Sequence, residues 1–276
     1  MDIHASLRIS IQIWLYPRNF LPYFAWTHTL YEKRGDMKRI LILGSNGDIG
    51  SILSKSLSKN NFIIESDLSK HSKNNTENQY IKIDVTNYSD FFKKCPEPID
   101  IIINLTGLRE MRNIPDINEM NQMIDLYIKG CYNVYQIAVE KKINKVIFAS
   151  SNHVTDFYEQ NGYSLLNREI NADDFPKTNS VYGAFKFFGE SLGFIFHQNK
   201  QLSIICFRIG TVRKTDEETI NLNDRSKRTA LLHKDLINMF NNAIDNNTIE
   251  FGVYYAVSNN IDKPWSIKNY ITELLP

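Results

Sequence analysis

From Met37 onward, short apolar runs alternate with longer segments that repeat apolar residues at helical spacing. The runs are continuously apolar and rich in Ile and Val, which is typical of parallel strands that helices cover on both faces. Six runs are predicted as strands, at residues 40–43, 62–64, 80–83, 99–103, 145–149 and 202–207. This alternation predicts an α/β fold with a doubly wound parallel sheet, whose ligands bind at the carboxyl ends of the strands.

The chain before Met37 and from residue 211 onward departs from this alternation. A polar stretch at 211–223 is followed by a predicted helix at 231–244 and a further apolar run at 249–257. We therefore predict one Rossmann-type domain over residues 37–276, in which residues 211–276 supply a small C-terminal lobe on the substrate side. Residues 1–36 are predicted as an N-terminal extension. This extension is either an unstructured or mis-assigned segment before a natural start at Met37, or an aromatic-rich arm packed on the domain or on a partner subunit.

Composition narrows the class of partner. Hydrophobic residues make up 42% and charged residues 23%, which is typical of a globular protein. With 32 Lys and Arg against 31 Asp and Glu, the net charge of +1 argues against nucleic-acid binding and favours a small-molecule partner. The longest uncharged N-terminal stretch has 13 residues, at 19–31, and a membrane span needs about 20. Three widely spaced cysteines without a CxxC pair indicate neither a disulfide framework nor a metal site, so we expect a cytoplasmic protein.

Three of the 12 glycines fall within seven residues, directly after the first predicted strand. Gly44 is suited to a tight turn, Gly47 to a close approach of backbone N–H groups to a pyrophosphate, and Gly50 to close packing of the next helix on the strand. The N-terminus of that helix would add its partial positive charge. This spacing predicts a dinucleotide-binding turn.

Carboxylates follow the next two predicted strands. Asp67 lies 17 residues after Gly50, where a carboxylate can accept hydrogen bonds from an adenosine ribose. Such a carboxylate repels a 2′-phosphate, and no Arg or Lys occurs between Asp67 and Lys70, so the predicted cofactor is NAD rather than NADP. Asp84 follows the third strand, where it either reaches the adenine amino group or is an ordinary loop aspartate.

The sequence contains one Tyr-x-x-x-Lys pair, formed by Tyr182 and Lys186. It lies on a predicted helix whose apolar positions occupy another face, so both side chains point the same way, one turn apart. The strand predicted at 145–149 leads into Ser150 and Ser151, which brings hydroxyl groups to the carboxyl edge of the sheet. We predict Ser151, Tyr182 and Lys186 as the catalytic residues.

These three residues suit the oxidation of an alcohol. Removal of a hydroxyl proton at neutral pH requires a phenol whose pKa falls well below its usual value of about 10. The Lys186 ammonium, together with an oxidised nicotinamide, would lower the pKa of Tyr182 so that it serves as the base. Ser151 would then hold the substrate oxygen and Lys186 would also position the nicotinamide ribose, while the hydride passes to the cofactor.

With Gly-x-x-Gly-x-x-Gly at 44–50 and this Ser/Tyr/Lys set, the chain from Met37 onward resembles the extended short-chain dehydrogenase/reductase family, which includes NAD-dependent epimerases and dehydratases. Segments 148–154, 181–190 and 208–210 look most like those of uronate dehydrogenases, which oxidise the C1 hydroxyl of cyclic hexuronates to a lactone with NAD. The resemblance implies an oxidoreductase acting on a sugar CH–OH group, and a homo-oligomer. Two alternatives stay open: a nucleotide-sugar epimerase or dehydratase with tightly bound NAD, and a non-catalytic NAD-binding scaffold.

The resemblance also implies site residues. Arg225 would hold a substrate carboxylate, because its forked donors match a carboxylate in two parallel hydrogen bonds. Ser151, Asn152, His153 and Thr211 would contact the sugar. The implied cofactor site, with the residues already named, comprises Gly44, Asn46, Gly47, Asp48, Ile49, Gly50, Asp67, Asp84, Val85, Leu105, Thr106, Gly107, Tyr182, Lys186 and Ile209.

Three features depart from the uronate dehydrogenase pattern. Arg109 stands after the fourth strand, where a small hydroxyl residue is expected, and Tyr127 replaces an asparagine on the following helix. The segment between Ser151 and Tyr182 is several residues longer than expected. Arg109 and Arg225 together suit a more acidic sugar, for example one that carries a phosphate or a nucleotide diphosphate.

Overall fold

The computed structural model describes residues 37–108 and 113–275. The strands within this part of the chain are β1 (Arg39–Leu43), β2 (Phe62–Asp67), β3 (Gln79–Lys82), β4 (Ile101–Asn104), β5 (Lys145–Ser151), β6 (Glu159–Gln160), β7 (Tyr163–Ser164), β8 (Ser203–Ile209) and β9 (Phe251–Ala256). Seven of them form one parallel sheet in the order β3-β2-β1-β4-β5-β8-β9, and β6 pairs with β7 in a separate antiparallel hairpin. The doubly wound parallel sheet of Rossmann type is confirmed.

Helices cover both faces of the sheet. They are α1 (Asp48–Leu57), α2 (Tyr88–Lys94), α3 (Ile117–Met123), α4 (Cys131–Glu140), α5 (Val181–Lys200), α6 (Asp216–Asn221), α7 (Ser226–Thr229), α8 (His233–Asp245) and α9 (Lys268–Glu273). A π-helical segment, Ile124–Gly130, joins α3 to α4, and a 3₁₀ segment, Asn152–Tyr158, follows β5. No helix among the described residues is both long and apolar enough to cross a membrane.

Strand β1 illustrates why the central strands are apolar at every position. Ile40 and Ile42 pack on one face with α1 and α8, whereas Leu41 and Leu43 pack on the other face with α4 and α5. Successive side chains of a strand point to opposite faces, and all four of these are at most 1% exposed. Burial of each stabilises the fold by about 1.5–3 kcal/mol.

The last apolar run has a different position from the one that the sequence indicates. Residues 249–257 are grouped with the substrate-side lobe in the sequence, but β9 pairs in parallel with β8 as the edge strand of the main sheet. Tyr254 and Ala256 pack on one face, while Phe251 and Val253 pack on the other. Because both faces are covered, this strand follows the same rule as the central ones.

The substrate side is built from three separate segments. The β6–β7 hairpin belongs to the long connection between β5 and α5, and α6 and α7 follow β8. Ile170 pairs with Trp265, and these two residues form a small buried cluster with Tyr255 and Val257. Segment 151–180 therefore contributes to this side of the molecule, in addition to the predicted residues 211–276.

Candidate active site

A cavity of about 860 Å³ opens at the carboxyl ends of the central strands. Residues following β1, β4, β5 and β8 line it, together with the first turn of α5. The lining includes most of the residues selected from the sequence: Gly44, Asn46, Gly47, Asp48, Ile49, Gly50, Asp67, Leu105, Thr106, Gly107, Ser151, Asn152, His153, Tyr182, Lys186, Ile209, Thr211 and Arg225.

The glycine turn after β1 depends on the absence of side chains. Gly44 has φ +81°, and a Cβ there would lie 2.9 Å from the backbone of Leu105. A Cβ on Gly50 would lie 2.4 Å from the Gly44 carbonyl oxygen, so the first turn of α1 can approach the strand this closely only with glycine. Gly47 is the N-cap of α1 and provides no side-chain cap, which leaves backbone N–H groups directed at the cavity.

Asp67, at the end of β2, is bound to the glycine turn. Its Oδ2 accepts a hydrogen bond of 3.1 Å from the backbone N–H of Asn46. The Asn46 side chain donates to Ser69 at 2.5 Å and accepts from the Lys73 N–H at 2.8 Å, so it connects the turn to the polar loop 69–79. Asp67 and Lys73 both line the cavity at this end.

Glu65, which was not among the residues selected from the sequence, accepts hydrogen bonds from the same polar loop. It lies within β2 and is fully buried. Its carboxylate accepts hydrogen bonds of 2.5–3.0 Å from Ser72, Asn74, Thr76 and Asn78. Buried carboxylates are stable when hydrogen-bonded in this way, so the loop is folded around a charge inside the domain.

Two residues of the predicted cofactor site are not brought to the cavity. The Asp84 carboxylate accepts hydrogen bonds from the backbone N–H of Thr86 at 2.9 Å and from its hydroxyl at 2.7 Å, which stabilises a local turn. Val85 packs in the core and is only 5% exposed, and its carbonyl accepts a hydrogen bond from Asn133 at 2.8 Å. These contacts correspond to the alternative in which Asp84 is an ordinary loop aspartate.

Tyr182 and Lys186 lie one turn apart on α5, facing the end of β5. The Ser151 hydroxyl, which accepts the backbone N–H of His153 at 3.2 Å, lines the cavity together with the Tyr182 phenol. The Lys186 ammonium is buried and donates to the carbonyl of Ala149 at 2.7 Å, which connects α5 to the strand that ends in Ser151. The three residues selected from the sequence therefore share one wall of the cavity.

Burial changes the proton affinities of this pair. It raises the pKa of Tyr182 above its ordinary value, and the hydrogen bond with Ser151 offsets only part of the increase. Burial also lowers the pKa of Lys186 to about 8, with Cys131 and Glu190 acting in the opposite direction. The lowered pKa that we expect for Tyr182 from the sequence therefore does not arise from these side chains alone. It requires a further positive charge in the cavity.

Tyr127 lies on the π-helical segment and contacts Tyr182 directly. The two rings meet edge to face, with their centroids 5.7 Å apart. The Tyr127 hydroxyl accepts a hydrogen bond of 2.9 Å from the backbone N–H of Leu108, a residue that lines the cavity. Segments of π-helix are frequent at functional sites because the extra residue redirects a side chain. Tyr127 thus connects the loop after β4 to the ring of Tyr182.

His153 is hydrogen-bonded to Asp156 next to the same tyrosine. Its Nδ1 lies 2.7 Å from Oδ2 of Asp156, and its ring centroid lies 5.8 Å from that of Tyr182. The second Asp156 oxygen accepts the backbone N–H of Asn179 at 2.7 Å, which holds the carboxylate in place. With Nδ1 engaged, the Nε2 atom of His153 is the one available to a ligand.

The predicted carboxylate-binding arginine already has a carboxylate partner. Nε and Nη2 of Arg225 lie 2.9 and 2.8 Å from Oε2 of Glu159, which is in the β6–β7 hairpin. Thr211 lines the same side of the cavity, and its hydroxyl is 2.8 Å from that of Thr229. Arg109 lies outside the described residues.

A model of the NAD dependent epimerase/dehydratase family matches residues 40–213 of this chain. The chain belongs to the NAD-dependent epimerase/dehydratase family. The uncharacterized protein YtbQ of Bacillus subtilis (strain 168) is 40% identical over 240 residues, which are 86% of this chain and 92% of that protein. The uronate dehydrogenase of Pseudomonas syringae pv. tomato is 26% identical over 228 residues, 82% of this chain and 77% of that enzyme.

A solved structure has the same fold. The crystal structure of uronate dehydrogenase from Agrobacterium tumefaciens matches with a TM-score of 0.73, over 86% of this chain and 83% of that one, at 21% identity. As a member of the epimerase/dehydratase family, the protein is an NAD-dependent enzyme that acts on sugars as a dehydrogenase or an epimerase.

The cavity fits the NAD that the epimerase/dehydratase family uses. Open N–H groups at the start of α1 suit a pyrophosphate, and the Asp67 carboxylate in the same cavity suits the hydroxyls of a ribose. At the opposite end, Lys186 can donate to the second ribose. When bound, NAD would supply the hydride acceptor and the additional positive charge that Tyr182 requires.

Several lining residues are not among the site residues selected from the sequence. Their roles depend on the fold, because they flank predicted positions or come from the polar segment after β8. They are Lys73, Leu108, Asn113, Ala149, Ser150, Ser180, Gly210, Val212, Arg213, Leu222 and Asn223. For the polar segments 69–79 and 211–223, the sequence indicates only an excess of turn-forming residues.

Replacement of Asp67 tests the assignment of the adenosine end. We expect Asp67→Asn to weaken NAD binding about tenfold, because hydrogen bonds to a charged acceptor are worth about 1.5–3 kcal/mol. The same change removes the repulsion of a 2′-phosphate, so NADP binding should improve. Calorimetric titration of both cofactors measures the ratio. Asp125→Asn, at an exposed position on the π-helical segment, is the matched control, and an unchanged NAD/NADP ratio in Asp67→Asn would contradict the assignment.

Proposed function

We propose that this protein is an NAD-dependent sugar 1-dehydrogenase of the uronate dehydrogenase type. It oxidises the C1 hydroxyl of a cyclic sugar to a lactone. The observation that carries the proposal is the presence of the glycine turn and the Ser151, Tyr182 and Lys186 side chains in one cavity, at opposite ends of the space that a dinucleotide needs. The identity to uronate dehydrogenase supports hexuronates as the first substrates to test.

The proposed reaction removes a proton and a hydride from one CH–OH group of the sugar. The Ser151 hydroxyl holds the C1 oxygen of the sugar against the phenol of Tyr182, which lines the same cavity. Tyr182 takes the hydroxyl proton while C1 and its oxygen become a carbonyl group. The cofactor, which the glycine turn and Lys186 would hold, would accept the C1 hydrogen as a hydride. His153, positioned by Asp156, and Asn152 contact the hydroxyls of the ring.

Lys186 contributes in two ways. Its ammonium lies 5.7 Å from the Tyr182 ring, close enough to favour the phenolate while the lysine is charged. Its hydrogen bond to Ala149 fixes α5 on β5, so the distance between Tyr182 and Ser151 is set by the fold. Because burial lowers the pKa of this lysine to about 8, its charge is lost as the pH rises through that value in the cofactor-free enzyme.

Formation of NADH tests the proposal. The purified protein is incubated with NAD and, separately, with galacturonate, glucuronate, galactose, glucose and arabinose, and near-ultraviolet absorbance is followed. NADH that appears in equal amount with a lactone supports the proposal. Conversion of a nucleotide sugar to its epimer, with NAD that does not exchange and no net NADH, overturns it in favour of an epimerase. Binding of NAD without turnover of any sugar or nucleotide sugar overturns it in favour of a non-catalytic scaffold.

A further inference from the structure

Glu159 and Arg225 form a fixed pair at the substrate end of the cavity. Oε2 of Glu159 is 2.9 Å from Nε and 2.8 Å from Nη2 of Arg225, and Oε1 is 3.1 Å from Nε. The guanidinium therefore uses its side-on donor edge on a carboxylate of the same chain. The Glu159 side chain is 5% exposed, whereas that of Arg225 is 29% exposed and lines the cavity.

The hairpin that carries Glu159 is built onto the segment that carries Arg225. Gly162 at its turn has φ +85°, and a Cβ there would lie 3.2 Å from the carbonyl oxygen of Arg225. The Gly162 N–H donates to Glu159, and the Arg228 guanidinium lies 3.9 Å from the ring centroid of Tyr163. Two strands and a turn thus hold the carboxylate in position behind the arginine.

A bound sugar acid cannot easily displace this carboxylate. Removal of Arg225 from Glu159 would leave a buried negative charge without its partner, which is among the most costly changes a folded protein can undergo. While the pair is intact it carries no net charge, and a carboxylate arriving from the cavity would meet the field of Glu159 behind the guanidinium. The free edge of the guanidinium can still donate hydrogen bonds to an uncharged hydroxyl.

We propose that Glu159 takes the place of a substrate carboxylate on Arg225, and that the enzyme oxidises an aldose that is uncharged at the carbon facing this arginine. The sugar would carry a hydroxymethyl group or a hydrogen at that carbon, where a hexuronate carries its carboxylate. This inference rests on the proposed 1-dehydrogenase function and defines its substrate class. Glu159 acts through Arg225 and is a positioning residue.

The test compares matched sugars that differ only at C6. kcat/KM is measured for glucose against glucuronate and for galactose against galacturonate, with NAD in excess. For the protein as it exists, we expect the neutral sugar of each pair to be favoured about tenfold or more, the effect of roughly 1.4 kcal/mol. Calorimetric titration of the same four sugars in the presence of NAD measures the preference without turnover.

Glu159→Gln tests the mechanism of the preference. The amide keeps the size of the side chain but removes the charge, so Arg225 becomes a net cation and the aldose/uronate ratio should fall about tenfold. In Glu159→Gln/Arg225→Gln the uronate should lose that gain, because the cation is gone. An NAD-induced thermal shift equal to that of the unsubstituted protein establishes that each variant is folded.

The outcomes separate this inference from the function on which it rests. A ratio of one or below in the unsubstituted protein, or a ratio that Glu159→Gln does not lower, overturns the inference while NADH and lactone formation still support the dehydrogenase. Absence of NADH with every sugar overturns the function. In that case, calorimetric titration still shows whether the site prefers neutral or acidic sugars. Tighter binding of the hexuronates would refute the inference.

Discussion

Tyr182→Phe is expected to lower kcat by about 10²–10⁴-fold and to leave NAD binding within a few-fold of its original strength. The substitution removes one oxygen, the atom that would take the substrate proton and that lines the cavity with Ser151. The ring stays, and with it the edge-to-face contact with Tyr127. Steady-state rates at saturating sugar and NAD measure the first effect, and calorimetric titration of NAD measures the second.

Tyr132→Phe is the matched control for this substitution. Tyr132 lies on α4, is 47% exposed and contacts the ring of Phe196, and it is not among the described residues that line the cavity. The control should retain full activity. A Tyr182→Phe enzyme that retains more than about a tenth of the original kcat would show that another group removes the proton. A parallel loss of NAD binding would assign the phenol to the cofactor site instead of the chemistry.

The sequence-predicted residues that the structure brings into one cavity are those whose geometry is determined by local spacing. The four-residue separation of Tyr182 and Lys186 puts both on one helix face, and the end of a parallel strand places Ser151 at the edge where ligands bind. The approach of α1 to β1 is similar, because a Cβ on Gly50 would meet Gly44 and Ser45, which are close to it in the chain. Few distant contacts are needed to bring these groups into one cavity.

The contacts that sequence spacing does not predict join residues far apart in the chain. Glu159 and Arg225 are separated by 66 positions, and their pairing depends on a hairpin of two-residue strands. The contact of Tyr127 with Tyr182 depends on a π-helical segment that has no distinct sequence signal. Likewise, Glu65 follows the apolar residues of β2, and its partners become apparent only when the polar loop folds back over it.

A buried ion pair beneath the cavity connects the catalytic helix to the sheet. Arg208 on β8 donates to Glu190 on α5 through Nε at 2.9 Å and Nη2 at 2.8 Å, and both side chains are at most 4% exposed. Ser150, which precedes Ser151, donates to the same carboxylate at 2.5 Å, and Arg208 also donates to the Ala172 carbonyl at 3.0 Å. Burial lowers the pKa of Arg208, but Glu190 outweighs it and raises the pKa above its ordinary value, so the guanidinium stays charged.

Glu190→Gln is therefore expected to lower the free energy of unfolding by about 3–5 kcal/mol, because it leaves a buried guanidinium without a counter-charge. Urea unfolding followed by circular dichroism measures the change. Arg208→Met should be costly as well, and the double variant should lose less than the sum of the two single losses, since residues that form one ion pair are energetically coupled.

Asp90→Asn provides the comparison on the surface. Asp90 pairs with Lys94 on α2 at 2.9 Å, and both side chains are about a third or more exposed, so loss of the charge should cost less than about 1 kcal/mol. If Glu190→Gln cost no more than this surface variant, the buried pair would not stabilise the fold. In that case, the position of Ser151 beside Tyr182 would have to be maintained by the Lys186–Ala149 hydrogen bond and the packing of α5 on β5 alone.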